Sequence, residues 1–237
     1  MEIKQFVWDV VDSNSWLLTE GNHGLLFDAV DIENLYRFID GLEDLTIILT
    51  HSHFDHIVGL NRLRELRSGI TVIATSLCSE NLESVHKNMS STAEAFMAFY
   101  HDGENRNYKI EPFICEAADK TFKDRYMFEW YEHKINLAAV HGHSADGLIA
   151  VVDEKLMFSG DTLLSIPTVT RFPSGSSKRF WLEDIPMLQG MKNIELVYPG
   201  HGKPGKMQDM LNVNEMPERY RKGCVESGLH QGVYNSP

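Results

Sequence analysis

The chain has 237 residues, of which 43% are hydrophobic and 24% charged, enough apolar material for one domain with a buried core, which excludes a disordered segment. A formal net charge of -12 repels phosphate backbones, so the expected partner is a small molecule and not nucleic acid. Cys78, Cys115 and Cys224 are too few and too widely spaced for a disulfide framework, and the chain shows neither an export signal nor an apolar run of about eighteen residues, so a cytoplasmic location without membrane contact is expected.

Runs at 3–11, 15–19 and 25–28 are rich in β-branched and aromatic residues, and polar turns part them, which predicts a meander of strands. Asp31 can cap a helix in which Leu35, Phe38 and Ile39 share a face before Gly41 ends it. The apolar run Leu45-Thr46-Ile47-Ile48-Leu49 predicts a buried strand, and Thr50-His51-Ser52-His53-Phe54-Asp55-His56 lies on the turn where it ends. Ile57, Leu60, Leu63 and Leu66 then recur near the helical period, and Ser68-Gly69 leads into a further strand at 71–75.

Over 76–101 the pattern becomes helical, with Ala93, Phe96, Met97 and Tyr100 at i, i+3, i+4 and i+7. This insertion either borders the site as a lid or wall, or packs its apolar stripe on the core or on a second subunit of a homodimer. A polar loop at 102–107 leads to strands at 108–115, 127–132, 135–140, 148–152 and 156–158. A helix at 181–191, a strand at 194–198 and a polar helical tail after His201 close the chain, and no internal repeat divides it.

Neutral imidazoles and carboxylates are ligands of zinc and similar divalent ions, and His51, His53, Asp55 and His56 cannot all point apart on one tight turn. His51 and His53 share a face of extended chain, whereas Asp55 and His56, at a helix start, aim at a neighbouring point. That geometry suggests two metals side by side.

The stretch resembles the His-x-His-x-Asp-His signature of the metallo-β-lactamase superfamily, and the remaining segments of that family follow in order. Val140-His141-Gly142-His143-Ser144 resembles its Gly-His-Ser/Thr segment, with His141 where the family has proline; Phe158-Ser159-Gly160-Asp161-Thr162-Leu163 resembles the segment of its bridging aspartate; Pro199-Gly200-His201-Gly202 resembles its last histidine segment. The resemblance implies an αββα four-layer sandwich. It also implies one ion held by His51, His53 and His143 and a second by Asp55, His56 and His201, with Asp161 touching both. Two divalent ions, zinc foremost with iron or manganese as alternatives, leave roughly two positive charges over these ligands, which makes hydroxide accessible near neutral pH. That hydroxide is then the nucleophile, and Asp55 orients it or carries the proton to the leaving group.

His141 and Asp146 are candidates to orient His143, and Arg171, Lys178 and Arg179 to attract an anionic substrate group. His23, His86, His101, His133 and His230 lack a motif and read as ordinary histidines. The expected activity is that of a glyoxalase II-like hydrolase of a thioester, lactone or other ester. An antibiotic β-lactamase lacks support without an export signal, and the 36 residues after His201 are too few for a flavin domain or for the full glutathione-binding region of glyoxalase II. The alternatives are an oxygenase resembling persulfide dioxygenases, with one iron on His51, His143 and Asp161, and a substrate-binding member without hydrolase activity, which the complete ligand set disfavours.

Overall fold

Side-chain alternation decides the architecture, because most strands here bury both faces and each must find a different partner. In the computed structural model, which describes residues 1–101, 109–170 and 174–218, two sheets stack face to face. The first runs β1 (Glu2–Trp8), β2 (Ser13–Glu20), β3 (His23–Phe27), β4 (Asp44–Ile48), β5 (Thr71–Thr75), β6 (Lys120–Phe122), in that spatial order. Its first three strands form an antiparallel meander and the rest add in parallel. The second holds β7 (Arg125–Trp130), β8 (His133–Val140), β9 (Gly147–Val152), β10 (Leu156–Gly160) and β11 (Leu196–Pro199), with β11 joining β10 in parallel.

Along β9, Leu148, Ala150 and Val152 face the first sheet, while Ile149 and Val151 face outward. The inner core also takes Trp16, Leu18, Leu25, Phe27, Ile48 and Phe158. Phe27 and Phe158 stack across it with ring centroids 3.8 Å apart, a contact that adds about 1 kcal/mol beyond its buried area. On the outside of the first sheet lie α1 (Glu33–Asp40), α2 (Phe54–Ile57), α3 (Leu60–Leu66), α4 (Ser76–Leu82) and α5 (Ala93–Tyr100), which bury Leu35, Ile39, Phe54, Leu60, Leu63, Leu82 and Met97 against Leu17, Leu45 and Ile47. Outside the second sheet lie α6 (Ser177–Arg179), α7 (Ile185–Gly190) and α8 (Met207–Val213), whose Ile185, Leu188, Met207 and Met210 meet Ile149, Met157 and Val197. The four layers are those of the αββα sandwich.

Three local expectations change. No strand forms over the described part of 108–115: Pro112 lacks an N–H, and neighbouring backbone groups are satisfied by side chains instead of a ladder. Ser90 Oγ accepts from Phe113 N, Asn88 Nδ2 donates to Phe113 O and Asn61 Nδ2 donates to Ile114 O. The helix expected at 181–191 begins earlier, at α6, and widens into a π-helical turn over Phe180–Asp184 just before Pro186, where a missing N–H interrupts the regular ladder. The 76–101 stretch is broken between α4 and α5, where Met89 takes a left-handed φ of 64°, and Ala93 and Met97 of its stripe bury in the core. The polar loop at 102–107 lies outside the described residues.

The two sheets are tied together at one end. Leu148 N donates to Thr50 O at 2.7 Å, Asn14 N to Gly200 O at 2.7 Å, and Trp16 Nε1 to Pro199 O at 2.8 Å. At the other end His23 pairs with Asp44 and His133 with Asp153. Among the described residues no helix is long and apolar enough to cross a membrane.

Candidate metal centre

All the proposed ligands sit just past the carboxyl ends of strands at the tied end of the sandwich. His51 and His53 follow β4, Asp55 and His56 lie in α2, His143 follows β8, Asp161 follows β10 and His201 follows β11. Although they span 150 positions of chain, they form overlapping groups: His51, His53 and His143; His51, His56 and Asp161; Asp55, His56 and His201, each with candidate ligand atoms within 4.8 Å of one another. His143 Nε2 faces His53 Nδ1 at 3.2 Å. Asp55 Oδ2 lies 3.2 Å from His201 Nε2, and Asp161 Oδ2 lies 3.4 Å from His201 Nε2 and 3.6 Å from His143 Nε2. Gly200 passes directly beneath, where a Cβ would strike Asp161 Oδ1 and His56 Cε1.

Four imidazoles have their outward nitrogen committed, which fixes the ring orientation and turns Nε2 toward the centre. His143 Nδ1 donates to Val169 O at 2.8 Å, His201 Nδ1 to Val11 O at 3.1 Å and His56 Nδ1 to Asp28 Oδ2 at 2.9 Å. Thr50 Oγ1 donates to Asp28 Oδ2 at 2.8 Å and so accepts from His51 Nδ1 at 3.1 Å. Nε2 of His51, Nε2 of His56 and Oδ1 of Asp161 are then buried with no hydrogen-bond partner among the described residues. Buried polar atoms normally find one. The donor set fits divalent cations of the zinc type.

Electrostatics divides the centre. Burial, reinforced by neighbouring imidazoles, holds His51 well below the ordinary histidine value, lowers His53 to about 4, and lowers His143 against the pull of Asp161. For His56 and His201 burial acts in the same direction, but Asp55 and Asp161 outweigh it and raise both, with Asp28 adding to His56. Asp55 and Asp161 are lowered, because the imidazoles beside them overcome the burial that opposes their charge.

The supporting residues are partly those the sequence singled out. Asp146 is buried and accepts from Ser52 N, Asn81 Nδ2 and Ser144 Oγ, joining the His51 and His143 loops. His141 turns back onto its own loop, with Nδ1 on Ala145 O at 2.8 Å, and takes no place in the centre. Arg179 pairs with Glu183 on the surface, Lys178 is exposed, and Arg171 and His230 lie outside the described residues. His86 bonds Ser91 at the surface, and His101 Nε2 bonds Val10 O at 2.6 Å. Sequence reading missed Asp28 and Asp184. Asp28, in a left-handed conformation with φ 61°, carries Thr50 and His56; its signal was a carboxylate ending an apolar strand. Asp184, from the π-helical turn, accepts from Gly142 N at 2.7 Å and from His141 N, which shapes the His143 loop.

A family model described as "Metallo-beta-lactamase superfamily" matches residues 8–201. The Beta-lactamase-like protein 2 homolog of Drosophila melanogaster is 22% identical over 87% of this chain, which spans 66% of that protein's length. A probable metallo-hydrolase of Streptococcus pyogenes serotype M6 is 24% identical over 90% of this chain and 89% of its own. Among solved structures, BLEG-1 B3 metallo-beta-lactamase superposes with a TM-score of 0.71 at 22% identity, covering 90% of this chain and 98% of that one. TTHA1623 in a di-iron-bound form gives 0.68 at 20% identity, covering 89% and 98%. ETHE1 from Myxococcus xanthus gives 0.66 at 17% identity, covering 98% and 92%. At such identities the structural likeness establishes the fold.

Proposed function

Because the chain belongs to the metallo-β-lactamase superfamily, we propose that it is a hydrolase that uses two divalent metal ions, zinc by its donor chemistry, to cleave a thioester, lactone or other ester of a small molecule. His51, His53 and His143 would hold one ion, Asp55, His56 and His201 the other, and Asp161 would reach both. The observation that carries the reading is the commitment of four Nδ1–H groups to fixed acceptors while the Nε2 atoms converge with two carboxylates. When bound, such a pair of ions supplies an activated water and an electrophile for the substrate carbonyl. Asp55 is the proton carrier: kept as a carboxylate beside His56 and His201, and with its backbone carbonyl held by Ser13 Oγ at 2.9 Å, it takes the proton of the attacking water and passes it to the leaving oxygen or sulfur. His51, His53, Asp55, His56, His143 and Asp161 are buried and His201 is partly exposed, which leaves the centre open to solvent and substrate on the His201 side. The net charge of -12 supports a small molecule over a nucleic acid as the substrate.

A second reading, an oxygenase with a single iron, draws support from the position of Asp161, which groups with His51 and His56 and also lies 3.6 Å from His143 Nε2. The two are separated by an assay of the metal-loaded protein against a panel of thioesters and lactones, run beside oxygen uptake with a persulfide. Hydrolysis that a chelator abolishes, without oxygen uptake, is expected. Oxygen consumption without hydrolysis would replace the first reading with the second.

A further inference from the structure

The helical insertion ends on a turn beside the candidate metal centre. His101, one residue past α5, donates from Nε2 to Val10 O at 2.6 Å, and Tyr100, the last residue of α5, donates its hydroxyl to Asp12 Oδ2 at 3.2 Å. Both contacts fall on the turn between β1 and β2, 88 and 91 positions away in sequence. Between those two anchors Val11 O accepts from His201 Nδ1 at 3.1 Å. Immediately after them Ser13 bridges to His201 and donates its hydroxyl to Asp55 O at 2.9 Å. Asp12 itself is held at a left-handed φ of 57°.

We propose that Tyr100 and His101 are positioning residues that clamp the turn at 10–12 and thereby aim His201 and Asp55, so that the insertion sets the affinity of one half of the centre for its metal and leaves the other half alone. Each acts through a backbone carbonyl or carboxylate of the turn, which confines the effect to the half that the turn holds: His51 Nδ1 and His143 Nδ1 are bonded instead to Thr50 Oγ1 and Val169 O. The upper part of α5 anchors the strut, since Phe96 packs edge-on to Phe54 at 5.8 Å and Met97 is buried. The Tyr100 phenol is pushed up by burial, by Asp12 and by Asp55, so it stays a donor to Asp12 across the neutral range.

The inference rests on the two-ion reading, and its test separates the two. Metal-free wild type, Tyr100→Phe, His101→Ala, the double variant and His101→Gln are titrated with Zn2+ by calorimetry, with thermal melting of the metal-free proteins beside it. Wild type is expected to take two ions of unequal affinity. The double variant should lose about 10- to 100-fold in the affinity of one ion only, the scale of losing an outer partner of a ligand. Its metal-free melting temperature should stay near that of wild type, and His101→Gln, whose amide can restore the donor to Val10 O, should recover most of the affinity. Two ions whose affinities ignore the variants would overturn this inference alone. Equal weakening of both ions with a lowered melting temperature would overturn it in favour of general packing. A wild type that takes one ion would defeat the two-ion reading and the inference together.

Discussion

The two halves of the centre share one buried cluster and one fold, yet they are prepared for a metal in opposite ways. The half made of His51, His53 and His143 contains three imidazoles that burial keeps neutral, so their lone pairs stand ready across the neutral range. The half made of Asp55, His56 and His201 is rich in carboxylates, which favour protonated imidazoles when no ion is present. A metal entering this half is therefore expected to compete with protons more than one entering the first. Metal pre-organisation therefore follows from which charges share a pocket, not from how many histidines it holds.

The largest expected effect comes from the residue that belongs to both halves. Asp161→Ala should reduce metal content in each and lower hydrolysis at least about a thousandfold, equivalent to some 4 kcal/mol of transition-state stabilisation. Elemental analysis with a steady-state assay checks this; a variant that keeps both ions would remove Asp161 from its bridging place. A smaller, unequal effect is expected from Asp28→Asn, which removes the direct acceptor of His56 Nδ1 and reaches His51 only through Thr50 Oγ1. It should weaken the ion on His56 by about 10- to 100-fold and the ion on His51 by less, read by competition with a chromophoric chelator. Equal loss of both ions would erase the distinction between the halves.

A further effect, on stability and not on metal affinity, concerns the loop that presents His143. Asp184 is pushed up to about 6, chiefly by burial, against the Gly142 and His141 amides that pull it down. The folded chain thus binds this proton at a pH where the unfolded chain has released it, so the Asp184 contribution falls as pH rises from about 4 to about 6. Asp184→Asn removes that titration. In metal-free protein, wild type should lose up to about 3 kcal/mol more than the variant between pH 4 and pH 7, measured by denaturant unfolding at both pH values. Coincident profiles would show that Asp184 carries no such shift.

What the sequence made legible follows from where information is stored along the chain. Each candidate ligand lies within a short turn after an apolar strand; spacing alone singled out His51 to His56, and the resemblance of three further turns to family segments added His143, Asp161 and His201. The layered fold was legible for the same reason, since the buried strands read as apolar runs. Asp28 and Asp184 were not, because their roles depend on loops 28 and 42 positions away. Tyr100 and His101 appeared only as an apolar stripe and a stray histidine, because the turn they hold lies about ninety positions upstream. The false strand at 108–115 had the composition of β structure, but its backbone partners are the side chains of Asn61, Asn88 and Ser90, 23 to 53 positions away.

The central claim, two ions in two unlike halves, is tested most directly by counting metal in protein purified without added metal, for wild type and His201→Ala. The account predicts two ions per wild-type chain and one in the variant, retained by His51, His53 and His143, with hydrolysis reduced by orders of magnitude. One iron per wild-type chain, unchanged by the substitution and accompanied by oxygen consumption with a persulfide, would contradict it.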